Sequence, residues 1–160
     1  MFEPEIINMI VENFGISIYM VVFSTLFSYL LGLPLGIILV VTAPGGLRPM
    51  PVFNQVLGVI VNLLRSIPFL ILLFLIMPFT QFVTGSSFGP NATIVPLIVS
   101  AAPFVARLIE SSFKEIDFGV IEAAQSMGAS NWQIITKVML PESKPSLLVG
   151  SAIAATTILG

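Results

Sequence analysis

The chain is predicted to be an all-α, polytopic membrane protein, and three observations carry that prediction. Of its 160 residues, 56% are hydrophobic and only 9% are charged, where an ordinary soluble domain carries about 25% charge. Two stretches hold no charge at all, Asn13 to Leu47 with 35 residues and Ser66 to Ala106 with 41. Each exceeds the roughly 20 apolar residues a helix needs to cross a bilayer. Nine of the fourteen charged residues fall between Arg107 and Lys144, which marks an aqueous loop between greasy segments. The length suits a single domain over residues 1–160.

The first twelve residues carry Glu3, Glu5 and Glu12 and no basic residue, the reverse of a secretory leader's positive start. The apolar run behind them is therefore expected to stay as a first span, roughly 14–41. Within it, Gly32-Leu-Pro34-Leu-Gly36 places two glycines four apart, a spacing that lets a neighbouring helix approach closely. Pro34 is expected to kink the span.

Thr42 to Pro51 is turn-rich. A helical approach over Asn54 to Leu64 leads to a second span, roughly 67–83. Arg65 stands at its start. A charge in hydrocarbon is costly and often functional, but here a snorkelling anchor at the membrane surface is the expected role. The flexible turn Thr84 to Asn91 separates this span from a third, roughly 92–109. Arg107 and Glu110, three apart, are expected to form a surface ion pair. After the aqueous loop, roughly 110–144, residues 146–160 are again apolar but short for crossing, and they read as an incomplete fourth span. The expectation is thus three full spans plus a partial fourth.

Charge placement sets the orientation. Arg48, Arg65, Arg107, Lys114, Lys137 and Lys144 can all lie on one face, while the turn between spans two and three and the N-terminus carry no basic residue. That face is expected to be cytoplasmic, with the N-terminus outside.

The loop has its own internal logic. Asp117 can cap a short helix running to Met127, and Gly128 can take the left-handed conformation that ends it. Ser130 with Gln133 forms a capping-box pattern that opens a second helix, and Pro141 is expected to stop that one. Such short helices are marginal alone and need a surface to pack on. Ile121, Ala124, Met127, Trp132, Ile135 and Val138 are the apolar residues available for that contact. The loop is then either a cap lying on the protein's own membrane face or a docking surface for a soluble partner.

The string Glu122-Ala123-Ala124, then Gly128, then Leu140-Pro141 resembles the signature loop of bacterial ABC-importer permeases. Val138 stands where that family often has isoleucine. Leu64-Arg-Ser-Ile-Pro-Phe69, Ala101-Ala-Pro-Phe104 with Arg107 and Glu110, and the Gly128-Ala-Ser-Asn-Trp-Gln-Ile stretch are similar to permease subunits of the bacterial methionine importer. The resemblance covers nearly the whole chain.

It implies an ABC importer permease, type I-like, in the bacterial cytoplasmic membrane, moving D- and/or L-methionine. It further implies a coupling interface with a cytoplasmic ABC ATPase through Glu122, Ala123, Ala124, Gly128, Leu140 and Pro141. A second permease copy and an extracytoplasmic methionine-binding lipoprotein complete the implied assembly. A permease for another amino acid or a small organic anion is the alternative within the class. A passive channel or secondary carrier, and a membrane anchor for a signalling complex, are the alternatives outside it.

The residues also exclude chemistry. The absence of histidine and cysteine removes disulfides and the usual zinc sites, and no catalytic, metal or cofactor site is expected. No Gly-x-x-x-x-Gly-Lys phosphate loop occurs, so ATP hydrolysis is expected to belong to another subunit. No Asp, Glu or His lies in the expected spans, which disfavours a proton relay, and six scattered basic residues make no nucleic-acid footprint.

Overall fold

The computed structural model describes residues 4–159. Residues 1–3, and Gly160 at the end of the expected fourth span, lie outside them. Helix α1 covers Pro4–Thr42, α2 Pro51–Ser66, α3 Phe69–Leu75, α4 Met77–Thr84 and α5 Pro90–Lys114. Beyond these come α6 (Phe118–Ser126), α7 (Asn131–Ile134), a π-helical turn (Ile135–Met139), α8 (Leu140–Glu142) and α9 (Lys144–Leu159). The described residues contain no strand.

Helix α5 is the hub on which α1, α2 and α9 pack. Against it α1 runs parallel: Tyr19 donates to Asn91 at one end, and Gly36 faces Ile109 towards the other. Both α2 and α9 run antiparallel to α5, since Gly58 meets Arg107 and Ser146 meets Ser112. The ends of α1 and α5, the start of α2 and all of α6 to α8 therefore gather at one end of the bundle.

The α1–α5 seam is made of small residues. Ser24, Ser28, Gly32 and Gly36 recur every four positions, so they share one helix face, and both serines are fully buried. A Cβ built on Gly32 would stand 2.6 Å from Val105 Cγ1, and one on Gly36 2.7 Å from Ile109 Cβ. The expected close approach is thus realised, and it extends further up α1 than the glycines alone indicate. Pro34 lies inside α1 without ending it. On the outer side, Val11, Phe14, Ile18, Val22, Leu26 and Leu30 are all exposed, an apolar surface that suits lipid and would be untenable in water.

Two expectations need correction. The second span is not one straight helix over 67–83, because α2 and α3 meet at 104° and α4 is a separate piece after them. Pro68 is the cause: it forces the preceding residue out of the helical region, and Ile67 is extended, with φ −76° and ψ 122°. Only taken together are α2 and α3 long and apolar enough to count as a crossing. Two single helices, α1 and α5, are long enough to span, or three if the bent pair counts as one. Helix α5 also outruns its expected end at residue 109 and continues to Lys114.

That extension changes the charges on α5. Glu110 is 7% exposed and pairs with both Arg107 and Lys114. Arg107 also donates to Gly58 O at 2.9 Å and to Asn62 Oδ1 at 3.1 Å. The expected surface pair is instead a buried clamp joining α5 to α2. Both carboxylate oxygens and all three guanidinium nitrogens have partners, which is the condition for keeping such a pair out of water.

The seam makes a testable statement. Gly36→Val places its Cβ against Ile109 and the Ala106 carbonyl and should destabilise the bundle by about 1–3 kcal/mol through overpacking. Gly15→Val, where nothing lies within 4 Å, should cost far less. Thermal unfolding of the two variants in detergent reads the difference, and equal midpoints would remove the seam as a packing constraint.

Candidate functional site

The candidate site is the helical loop between α5 and α9. Its first helix begins at Asp117, whose Oδ1 accepts the Gly119 amide at 2.7 Å, as a capping carboxylate should. It ends in a paired set of bonds: Gly128 N–H to Gln125 O at 2.9 Å and Ala129 N–H to Ala124 O at 3.1 Å. This is the Schellman arrangement, which needs a left-handed residue at its turn, and Gly128 has φ +80°.

Two residues on, Ser130 opens α7 with both halves of the capping box. Its Oγ accepts the Gln133 amide at 3.3 Å, and its own amide donates to Gln133 Oε1 at 2.9 Å. Each helix end is thus satisfied within the loop itself.

Pro141 does not stop the second helix, contrary to expectation. The backbone widens at Ile135–Met139, where the Leu140 amide reaches back to Ile135 O, a π-type bond spanning five residues. The widened turn accommodates a ring that would collide with the carbonyl four residues earlier in a regular helix. Helical hydrogen bonding resumes with Ser143 N–H to Met139 O at 3.0 Å and Leu147 N–H to Ser143 O at 2.9 Å. The path from Asn131 into α9 is nearly unbroken.

Packing divides the loop into two faces. Ala124, Ile134, Ile135 and Met139 are buried in one cluster with Val105, Ile109 and Phe113 of α5, and Ile121, Val138 and Leu140 pack against it. Asn131 Nδ2 also reaches Leu47 O at 3.5 Å, tying the loop to the α1–α2 connection. On the other face, Met127 is 82% exposed and Trp132 72% exposed, and Phe118 at the start of the loop is also exposed. Of the six apolar residues available for contact, Ile121, Ala124, Ile135 and Val138 pack against the bundle, while Met127 and Trp132 stay outward. Met127 is the residue before the Gly128 turn, where the inward contact passes to Ala129. Trp132 lies two residues from buried Ile134, about 200° around the helix.

The six predicted interface residues are therefore split. Glu122, Ala123 and Pro141 are exposed and Gly128 shapes the turn, whereas Ala124 is buried and Leu140 half-buried. Sequence reasoning left open which of the apolar residues face outward, and it did not single out Phe118. The Schellman pattern carried the missing signal for Met127, since it turns the residue after the glycine towards the helix and leaves the one before it outside.

Fold and loop together define a polytopic helical membrane protein that presents a capped, apolar-faced helical hairpin at one end. The chain belongs to the binding-protein-dependent transport system inner membrane components, whose family model matches residues 32–160, and it is accordingly a membrane protein. It is 47% identical over 144 residues to the probable D-methionine transport system permease protein MetI of Pasteurella multocida, covering 90% of this chain and 66% of that one. Against MetP, the methionine import system permease protein of Bacillus subtilis, identity is 46% over 123 residues, with 77% and 55% covered. A crystal form of the inward-facing MetNI methionine ABC transporter superposes with TM-score 0.97 at 40% identity, covering 99% of this chain and 74% of that one. The chain spans less than two thirds of the length of these curated relatives.

The capping box gives the prediction here. Ser130→Ala should remove about 1 kcal/mol from α7, enough to speed amide exchange over Asn131–Met139 roughly five-fold if local opening governs it. Exchange in α5 should not change. Unaltered exchange in the loop would show that packing alone holds the second helix.

Proposed function

We propose that the chain is the membrane-spanning permease of an ATP-driven importer that moves methionine, D- and/or L-, across the bacterial cytoplasmic membrane. The names of its relatives support the substrate and the ABC class. The observation that carries the coupling role is the exposure of Met127 and Trp132 on either side of the Gly128 turn, with Phe118 exposed at the start of α6, on a loop whose helix ends are already satisfied. A loop serving only as a cap would turn these side chains towards its own bundle. Exposed clusters of large apolar residues mark partner surfaces, and tryptophan is among the residue types most often dominant in them.

In this reading a cytoplasmic ABC ATPase seats on the loop. Glu122, Ala123 and Pro141 meet it, Gly128 sets the angle of the hairpin, and Ala124 and Leu140 hold the hairpin to α5. A second copy of the chain completes the permease across a lipid-embedded interface, and an extracytoplasmic methionine-binding lipoprotein delivers the cargo. The chain, one domain, carries out no bond chemistry. Arg48, Lys114, Lys137 and Lys144 lie at the loop end of the bundle, and the rule that basic residues stay inside makes that end cytoplasmic and the N-terminus external.

Orientation is tested by labelling. A cysteine at Ser87, in the α4–α5 turn, should react with an impermeant maleimide from outside the cell, and one at the exposed Ser126 only after the membrane is opened. The opposite pattern would reverse the topology and remove the ATPase from the loop.

Coupling is tested with full-length protein and its ATPase. Trp132→Ala should weaken ATPase association by about 2 kcal/mol, roughly thirty-fold. Gly128→Val should do so through backbone strain, because a β-branched residue is a genuine outlier at positive φ. Glu122→Lys should weaken it in a salt-dependent manner. Each should depress ATP-dependent methionine uptake in vesicles at normal membrane levels. If all three keep the ATPase and transport normally, the loop is a cap and not a coupler. Uptake that persists without any ATPase would favour a passive channel or secondary carrier.

A further inference from the structure

The membrane surface is the expected place of Arg65, and the fold sets its side chain against α5 and beside a cavity. It lies in the last turn of α2, with its guanidinium carbon 5.5 Å from the centre of the Phe104 ring. Phe104 is ten residues from Lys114 and fourteen from Pro90 along α5. At 1.5 Å per residue, Arg65 therefore sits roughly 15 Å from one end of that helix and roughly 21 Å from the other. Arg107, the first charged residue of α5, stands three residues beyond Phe104, so Arg65 lies beside the uncharged part of that helix, about one turn inside its first charge.

A charge there is costly, and such residues usually pair or face a water-filled cavity. Arg107 is paired, with Glu110, Gly58 and Asn62 around it. Among the described residues Arg65 has no ion pair, and its guanidinium lies over the face of Phe104. It opens onto a cavity of about 430 Å³, lined among others by Phe69, Ser100, Phe104 and Thr157, a size within the range of small-molecule sites.

The backbone agrees with the side chains. The Ile67-Pro68 break borders the same space, and non-helical backbone at membrane depth is tolerated where protein buries it or where it lines a water-filled cavity. Discontinuous helices near the midplane are where solute sites form in many transporters.

We propose that this cavity is a carboxylate-binding site on the cargo's path, in which Arg65 holds the carboxylate of a solute of amino-acid size. The planar guanidinium matches a carboxylate with two parallel hydrogen bonds. Phe69 and Phe104 give an apolar wall to the solute's side chain, and the hydroxyls of Ser100 and Thr157 supply further polar contacts. The inference rests on the importer reading and adds to it the chemical group that the membrane path recognises.

The test compares uptake of methionine and of methionine amide, which lacks the carboxylate, by full-length permease assembled with its ATPase and binding protein in vesicles. The unsubstituted assembly should favour the acid at least ten-fold. Arg65→Gln should bring that preference to within about two-fold while ATPase co-purification and membrane level stay normal, and Arg65→Lys should retain an intermediate preference. An Arg65→Gln variant that keeps the full preference, or that loses acid and amide uptake equally, overturns the site and leaves the importer reading intact. If Arg65→Gln does not reach the membrane, Arg65→Lys carries the same comparison: a reduced preference supports the site and an unchanged one overturns it. No ATP-dependent uptake by the unsubstituted assembly would remove the importer reading and this inference together.

Discussion

The bundle depends on how closely α1 can lie against α5. In lipid there is no hydrophobic gain from pressing two apolar helices together, so association rests on packing contact. Ser24, Ser28, Gly32 and Gly36 offer almost no side chain on the contact face, and Val105 and Ile109 fill the space that this leaves. The position of everything hung from α5 follows from that seam. Arg107, half-buried and paired with Glu110, fixes α2 to the same hub through Gly58 and Asn62, and the loop cluster under Ile134 and Met139 continues the core from the far end of that helix.

Much of this was legible because local chemistry decided it. The caps at Asp117 and Ser130 and the turn at Gly128 involve groups within five residues of one another, and side-chain type at a fixed offset is enough to specify them. The glycine spacing in α1 was readable for the same reason, although its extension through Ser24 and Ser28 required knowing which face meets α5. The membrane character came from composition alone.

The illegible parts depended on geometry between elements. Pro141 reads as a stop, yet a π turn upstream removes the clash, and no residue between Ile135 and Met139 announces that widening. Arg65 reads as the start of a span, because the uncharged run begins right after it. Helix α2 packs along α5, so a residue at the edge of a hydropathy segment is set against that helix and beside a cavity. Met127 and Trp132 are apolar by type, and only the register set by Gly128 and Ser130 decides that they stay outward while Ala124, Ile134 and Ile135 turn in.

The π turn has a mechanical side as well. By letting the backbone pass Pro141 without a break, it joins α7 to α8, and hydrogen bonds across the turn at Ser143 lead on into α9. A flexible linker here would absorb a push at Trp132 by bending. A helix is stiff along its axis, and the far end of α9 carries Thr157 to the wall of the Arg65 cavity. The loop at one end of the bundle and the cavity wall further along it thus stand on consecutive helical elements, which the Gly128 turn separates from α6.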